Sequence, residues 1–295
     1  MKQPIFQGSA VAIVTPFRNG TVCYEKLAEL IDHQLDNGTN AIVICGTTGE
    51  SSTLTTPEHL AAIEFAVRHV RGRVPVIAGT GSNDTHHALV MCQAAEESGA
   101  DALLVVTPYY NKATQKGLVA HYRYLADRVN VPIILYNVPG RTGVSMSVET
   151  YAALADHPRI NGVKEACGNV SQCARTLARC GDHFNVYSGE DGDIVPMMSL
   201  GAQGVISVLA NVAPADTARM TRLCLEGDYP AAAALQLKYM DLVDALFCEV
   251  NPIPVKTALN LMGFDVGELR MPLCEMEPHT LARLRHSLQA VGLLD

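Results

Sequence analysis

Tryptophan is absent and phenylalanine occurs only six times, a sparse aromatic content that is ordinary for a globular α/β enzyme. Positive charge is also short: 22 Lys and Arg stand against 30 Asp and Glu, for a net charge of -8. That deficit, with no basic cluster, excludes a nucleic-acid-binding surface. No run approaches the ~18 apolar residues of a membrane-spanning helix. The opening "MKQPIFQGSAVAIVTPF" lacks a signal-peptide core, because Gln7 and Gly8 interrupt it and Pro16 closes it. The nine cysteines include no Cys-x-x-Cys pair and several lie in apolar runs, so reduced core thiols are expected rather than disulfides or a zinc site. No low-complexity linker divides the chain. It reads as a soluble, cytoplasmic protein of 295 residues, enough for one large barrel or two ordinary domains.

What is present is a repeat of architecture. Short apolar runs start at Ser9, Asn40, Val74, Ala100, Val131, Ile160, Phe184 and Ala202. They are continuously apolar rather than alternating, as strands buried on both faces should be. Segments with helical spacing lie between them, such as Glu58 to Val70, apolar at Leu60, Ile63, Val67 and Val70, and Ala88 to Ser98. This pattern predicts an α/β fold, a (β/α)8 TIM barrel, better than an open sheet. The strands end near residue 210 and the rest looks helical. Residues 1–225 are therefore read as the barrel and 226–295 as a C-terminal helical extension.

Active sites of such barrels form at the C-terminal strand ends. The polar residues there are Thr47, Thr48 and Glu50; Tyr109 and Tyr110; Tyr136, Asn137 and Arg141; Lys164 and Glu165; Ser188, Glu190 and Asp191; and Ser207. Lys164 is the anomaly. It sits mid-strand in "INGVKEACG" (160–168), sharing a face with Gly162 and Ala166. Burying an ammonium costs several kcal/mol unless it is paired or gives up its proton. A desolvated lysine has a lowered pKa, and the neutral amine attacks a ketone to form an iminium, an electron sink. Neighbouring tyrosines could shuttle protons. The structural alternative is a lysine paired with Glu190 or Asp191.

Five motifs in order, "GTTGES" (46–51), "TPYYNK" (107–112), "YNVPGRTG" (136–143), "GVKEACGN" (162–169) and "GVISVLAN" (204–211), with "NPIPVK" (251–256), cover almost the whole chain. Together they resemble the dihydrodipicolinate synthase (4-hydroxy-tetrahydrodipicolinate synthase) family, within the N-acetylneuraminate lyase superfamily of class I aldolases. The resemblance implies that Lys164 forms a Schiff base with pyruvate, with Tyr136 beside it as proton donor and acceptor. Thr47 and Tyr110 would complete a proton relay, Tyr110 reaching in from a neighbouring subunit of a homotetramer. Thr48 and the backbone at Ile206 would hold the pyruvate carboxylate, Gly189 would also bind substrate, and Arg141 would bind the carboxylate of L-aspartate 4-semialdehyde. No cofactor or metal is implied, because the protein's own amine is the electron sink.

The runner-up is a sister aldolase acting on sialic acid or a 2-keto-3-deoxy sugar acid; Arg141 discriminates, since such a substrate has less use for a cation there. Gly140 stands where many relatives carry serine. A catalytically silent barrel is argued against by the full set of Lys164, Tyr136, Tyr110 and Thr47. Relatives inhibited by lysine bind it in an inter-subunit cleft, which here would be lined by Ser51, Ser52, Thr56, His59, Asn83, His87 and Tyr109. Strongly inhibited relatives carry a histidine and a glutamate at the positions of Thr56 and His87, so the resemblance implies a weak or lost lysine site. "GTGSND" (79–84) and "GEDGD" (189–193) read as turns, His86 and His87 lack a third metal ligand nearby, and Lys256 reads as a surface lysine at a helix start.

Overall fold

A computed structural model describes residues 2–295. Among them, eight parallel strands close into a barrel: β1 (Gly8–Ala12), β2 (Ala41–Ile44), β3 (Val76–Gly79), β4 (Ala102–Val106), β5 (Ile133–Asn137), β6 (Ile160–Glu165), β7 (Asn185–Ser188) and β8 (Gly204–Ser207). Each pairs with the next and β8 returns to β1. The outer layer holds α1 (Tyr24–Asp36), α2 (Thr56–Val70), α3 (Thr85–Glu97), α4 (Gln115–Ala126), α5 (Pro139–Thr142), α6 (Val148–Ala155), α7 (Val170–Cys180), α8 (Ile194–Ser199) and α9 (Pro214–Glu226). Helices α10 (Tyr229–Leu246), α11 (Ile253–Leu261) and α12 (Pro278–Ala290) form the C-terminal extension. The TIM barrel expected from the apolar runs is the fold observed.

Continuous apolar strands follow from burial on both faces. Outward residues such as Val11, Ile42, Leu103, Leu135 and Val163 pack under the helices. Inward residues Ala10, Ala41, Val43, Ile77, Leu104, Ile134 and Ile206 fill the interior. The N-terminal end is stoppered by Phe6, stacked on Tyr187 with ring centroids 4.5 Å apart. Only the C-terminal end is left for a site. Five of the nine cysteines are buried as free thiols and Cys274 is exposed. Among the described residues, no helix is long and apolar enough to cross a membrane.

Local signals explain the element ends. Thr55 and Glu58 form a reciprocal cap that starts α2. A short hairpin, Phe17–Arg18 against Thr21–Val22, was not foreseen. Its signal is the Asn19-Gly20 pair, both at positive φ (53° and 75°), the residues that two-residue hairpin turns require.

Lys256 is the main correction. It is not a surface lysine: it lies on α11 with 1% exposure, and Nζ donates to Glu50 Oε1 at 2.7 Å and to Glu268 O at 2.6 Å. Glu50 Oε2 accepts from the Arg270 backbone N–H at 3.0 Å. Lys256 and Arg270 both sit over the Phe17 ring, at 4.4 and 4.2 Å from its centroid. The extension is thereby fastened to the loop after β2. Sequence reasoning failed here because the buried counter-charge lies 206 positions away.

Removing one partner of a buried ion pair leaves an uncompensated charge, at a cost of about 3–5 kcal/mol. Lys256→Met is therefore expected to destabilise the protein by that amount, read by urea unfolding, with Glu50→Gln in the same chain recovering part of it. An unchanged midpoint refutes the assignment.

Candidate active site

Register places the central pair. In the β5–β6 ladder Tyr136 is opposite Lys164, and in the β6–β7 ladder Lys164 is opposite Tyr187. Tyr136 and Lys164 point into the barrel with 7% and 5% exposure, and Lys164 Nζ lies 4.4 Å from the Tyr136 ring centroid. A cation over a ring face is attracted by its quadrupole. Gly162 matters for the strand itself, since a Cβ there would run into Asn185 O. Gly189 makes room for the lysine: a Cβ there would lie 2.7 Å from Ala166 Cβ, 3.0 Å from Glu165 O and 3.1 Å from Lys164 Cε.

The carboxylates near this amine are engaged elsewhere. Asp191 accepts from Ser207 Oγ at 2.5 Å and from the backbone N–H groups of Val208 (3.0 Å) and Leu209 (2.9 Å). Glu165 faces outward and accepts from Tyr151 Oη (2.6 Å), Asn137 Nδ2 (2.7 Å) and Gln172 Nε2 (3.2 Å); burial raises its pKa despite these donors. Burial pushes the Glu190 carboxyl up to about 7, Lys164 and Arg141 opposing the shift while Asp191 and Asp193 add to it. Among the described residues no carboxylate forms an ion pair with Lys164, so the paired structural lysine is not what the fold builds. Glu165, Asn137, Ser188, Asp191 and Ser207, candidates by their place at strand ends, are instead braces. Ser188 Oγ donates to Glu190 O at 2.7 Å. Strict period-two alternation from Lys164 would already have turned Glu165 away from the mouth.

The loop after β2 carries Thr47, Thr48 and Glu50. Glu50 has φ 51°, a left-handed conformation that costs a non-glycine residue about 1–3 kcal/mol and persists only where the surroundings enforce it. Lys256 and Arg270 supply that enforcement. Thr48 is 2% exposed, and its Oγ1 accepts from Asn251 Nδ2 at 3.0 Å. Arg141 Nη2 donates to Asn251 O, also at 3.0 Å. Asn251 was missed as a site residue; its one signal was its place in "NPIPVK". Ile206 points into the barrel and is fully buried.

Thr47 and Tyr136 share the wall of a small cavity of about 40 Å³. A larger one, about 430 Å³, brings together Thr47, Arg141, Ser51, Thr56, His59, His87 and Tyr109. Lys164 and Tyr110 line neither. Tyr110 is 89% exposed at φ 72°, so it makes little contact within its own chain. Asn83 stands outside the larger wall, its carbonyl accepting from Asn111 Nδ2 at 2.9 Å. None of the residues lining the larger cavity is Asp or Glu.

Residues 5–291 match the model of the dihydrodipicolinate synthetase family. The chain belongs to that family. A 4-hydroxy-tetrahydrodipicolinate synthase of Thermoanaerobacter sp. (strain X514) is 55% identical over 292 residues, 99% of this chain and 98% of that one. The solved dihydrodipicolinate synthase of Aquifex aeolicus superposes with a TM-score of 0.96 at 49% identity, covering 98% of this chain and 99% of that one. A monomeric dihydrodipicolinate synthase variant superposes equally well, TM-score 0.96 at 43% identity over 98% of each chain.

The crowding at Gly189 gives a test of how tightly this family's barrel mouth is set here. A 1 Å misplacement of a reacting group can cost about 10²-fold in rate. Gly189→Ala should slow amine-dependent turnover by roughly that factor. Wild-type rates in the variant would show that Lys164 has slack.

Proposed function

We propose that this chain is a 4-hydroxy-tetrahydrodipicolinate synthase, a lyase of the class I aldolase type that condenses pyruvate with L-aspartate 4-semialdehyde for lysine and diaminopimelate synthesis. The observation that carries the mechanism is a buried lysine beside Tyr136 with no carboxylate paired to it. The Lys164 amine attacks the keto carbon of pyruvate, and loss of water leaves an iminium. Loss of a methyl proton gives the enamine, whose carbon attacks the aldehyde. The substrate's own amino group then displaces lysine by transimination and closes the ring. Tyr136 and Thr47 move protons at the iminium, and Thr48, with the backbone at Ile206 and Gly189, receives pyruvate. Arg141, held on the Asn251 carbonyl, takes the second carboxylate, which favours aspartate semialdehyde over the sugar acids of a sister aldolase.

Tyr110 completes the relay only from a neighbouring copy. Its exposure within its own chain supports this reading, and with it a homo-oligomer, a tetramer built as a dimer of dimers. The larger cavity, with Ser51, Thr56, His59, His87 and Tyr109 in its wall and Asn83 behind it, is the remnant of the lysine site. Burial lowers the His59 pKa, and His87 adds to that shift. A lysine side chain entering there meets histidines and hydroxyls instead of a counter-charge.

Two outcomes are expected. Pyruvate with borohydride should add one reduced pyruvyl group, mapped by mass to Lys164; a label on Lys256, or none, sinks the mechanism. L-lysine, having lost a charged partner worth about 1.5–3 kcal/mol, or roughly 10- to 150-fold, should inhibit weakly or not at all in the low-millimolar range. Half-inhibition below roughly 0.5 mM, an affinity near -4.5 kcal/mol, overturns this reading of the cavity.

A further inference from the structure

The side chain of Asn251 is buried and comes from the C-terminal extension, far in sequence from the barrel loops it touches. We propose that Asn251 is a positioning residue: its amide sets the Thr48 hydroxyl as a hydrogen-bond donor toward the keto-acid carboxylate. This deepens the function proposed above and rests on it.

A threonine hydroxyl has one proton to give and two lone pairs to accept with, whereas an amide NH2 group only donates. Asn251 Nδ2, 3.0 Å from Thr48 Oγ1, therefore occupies a lone pair of that oxygen. The Thr48 proton is left free, and among the described residues no acceptor takes it. Among the described residues nothing uses the other half of the amide either: Asn251 Oδ1 is buried without a donor. A side chain kept for packing alone would not leave a buried acceptor unpaired, because an apolar residue of the same shape avoids that cost. What the amide does accomplish is to fix the polarity of Thr48. The clamp is rigid, because Lys256 on the same segment holds Glu50, two residues beyond Thr48. Arg141 also leans on Asn251, but on its backbone carbonyl, which every substitution keeps. The side chain thus serves the pyruvate end of the site and the backbone serves the other end, so mutation separates them.

The test is a cycle of wild type, Asn251→Leu, Thr48→Val and the double variant, each assayed for kcat, both KM values and the pyruvate concentration that half-saturates borohydride trapping on Lys164. Asn251→Leu should raise the pyruvate KM and half-saturation about 10-fold, as expected for one misdirected hydrogen bond to a charged group. The variant should keep kcat, the semialdehyde KM and thermal stability near wild type. In the Thr48→Val background the same change should add nothing, because the group through which it acts is gone. If Asn251→Leu does not fold, Asn251→Ala is read in the same cycle. Additive effects, or equal losses for both substrates, overturn the proposal and leave Asn251 a structural residue. Wild-type protein that traps no pyruvate on Lys164 overturns both this proposal and the function on which it rests.

Discussion

A buried amine that, among the described residues, no carboxylate pairs directly is the constraint around which the barrel mouth is arranged. Two of the three acidic groups nearest Lys164 are turned aside or spent. Asp191 is consumed by Ser207 and two backbone donors, and Glu165 is turned outward onto Tyr151, Asn137 and Gln172. Glu190 is left half-desolvated, where burial weakens its charge. The contrast is Lys256, equally buried, to which the fold supplies Glu50 at 2.7 Å. The paired lysine holds structure, and the unpaired one is the amine to which the proposed function assigns the chemistry.

The two lysines also divide the labour between the barrel and the extension. Through Lys256 and Arg270 the extension holds Glu50 in a conformation that a free loop would abandon. Through Asn251 it touches Thr48 and Arg141 together. The helices after the barrel are therefore not an appendage to the chemistry. They are the mould in which the loop after β2 is set.

The strands and Lys164 were legible because both signals are local. A doubly buried strand needs an unbroken apolar run, and a lysine inside one is conspicuous. Glu165, Asn137 and Ser207 were overcounted because position along a strand was used without the side of the strand, which alternation from Lys164 supplies for Glu165 alone. The Phe17–Val22 hairpin has a local signal in Asn19-Gly20. Lys256 and Asn251 are different. Their meaning depends on partners 206 and 203 positions away, and no window along the chain contains both members of either pair.

The stopper of Phe6 on Tyr187 has a consequence for traffic. A vessel closed at its base has one doorway, so whatever leaves must pass the place where the next arrival waits. In the proposed reaction, the keto acid tethered to Lys164 would enter first and the aldehyde would follow it. The enlarged product would leave by the same opening. The order of entry and exit would then follow from the shape of the vessel alone.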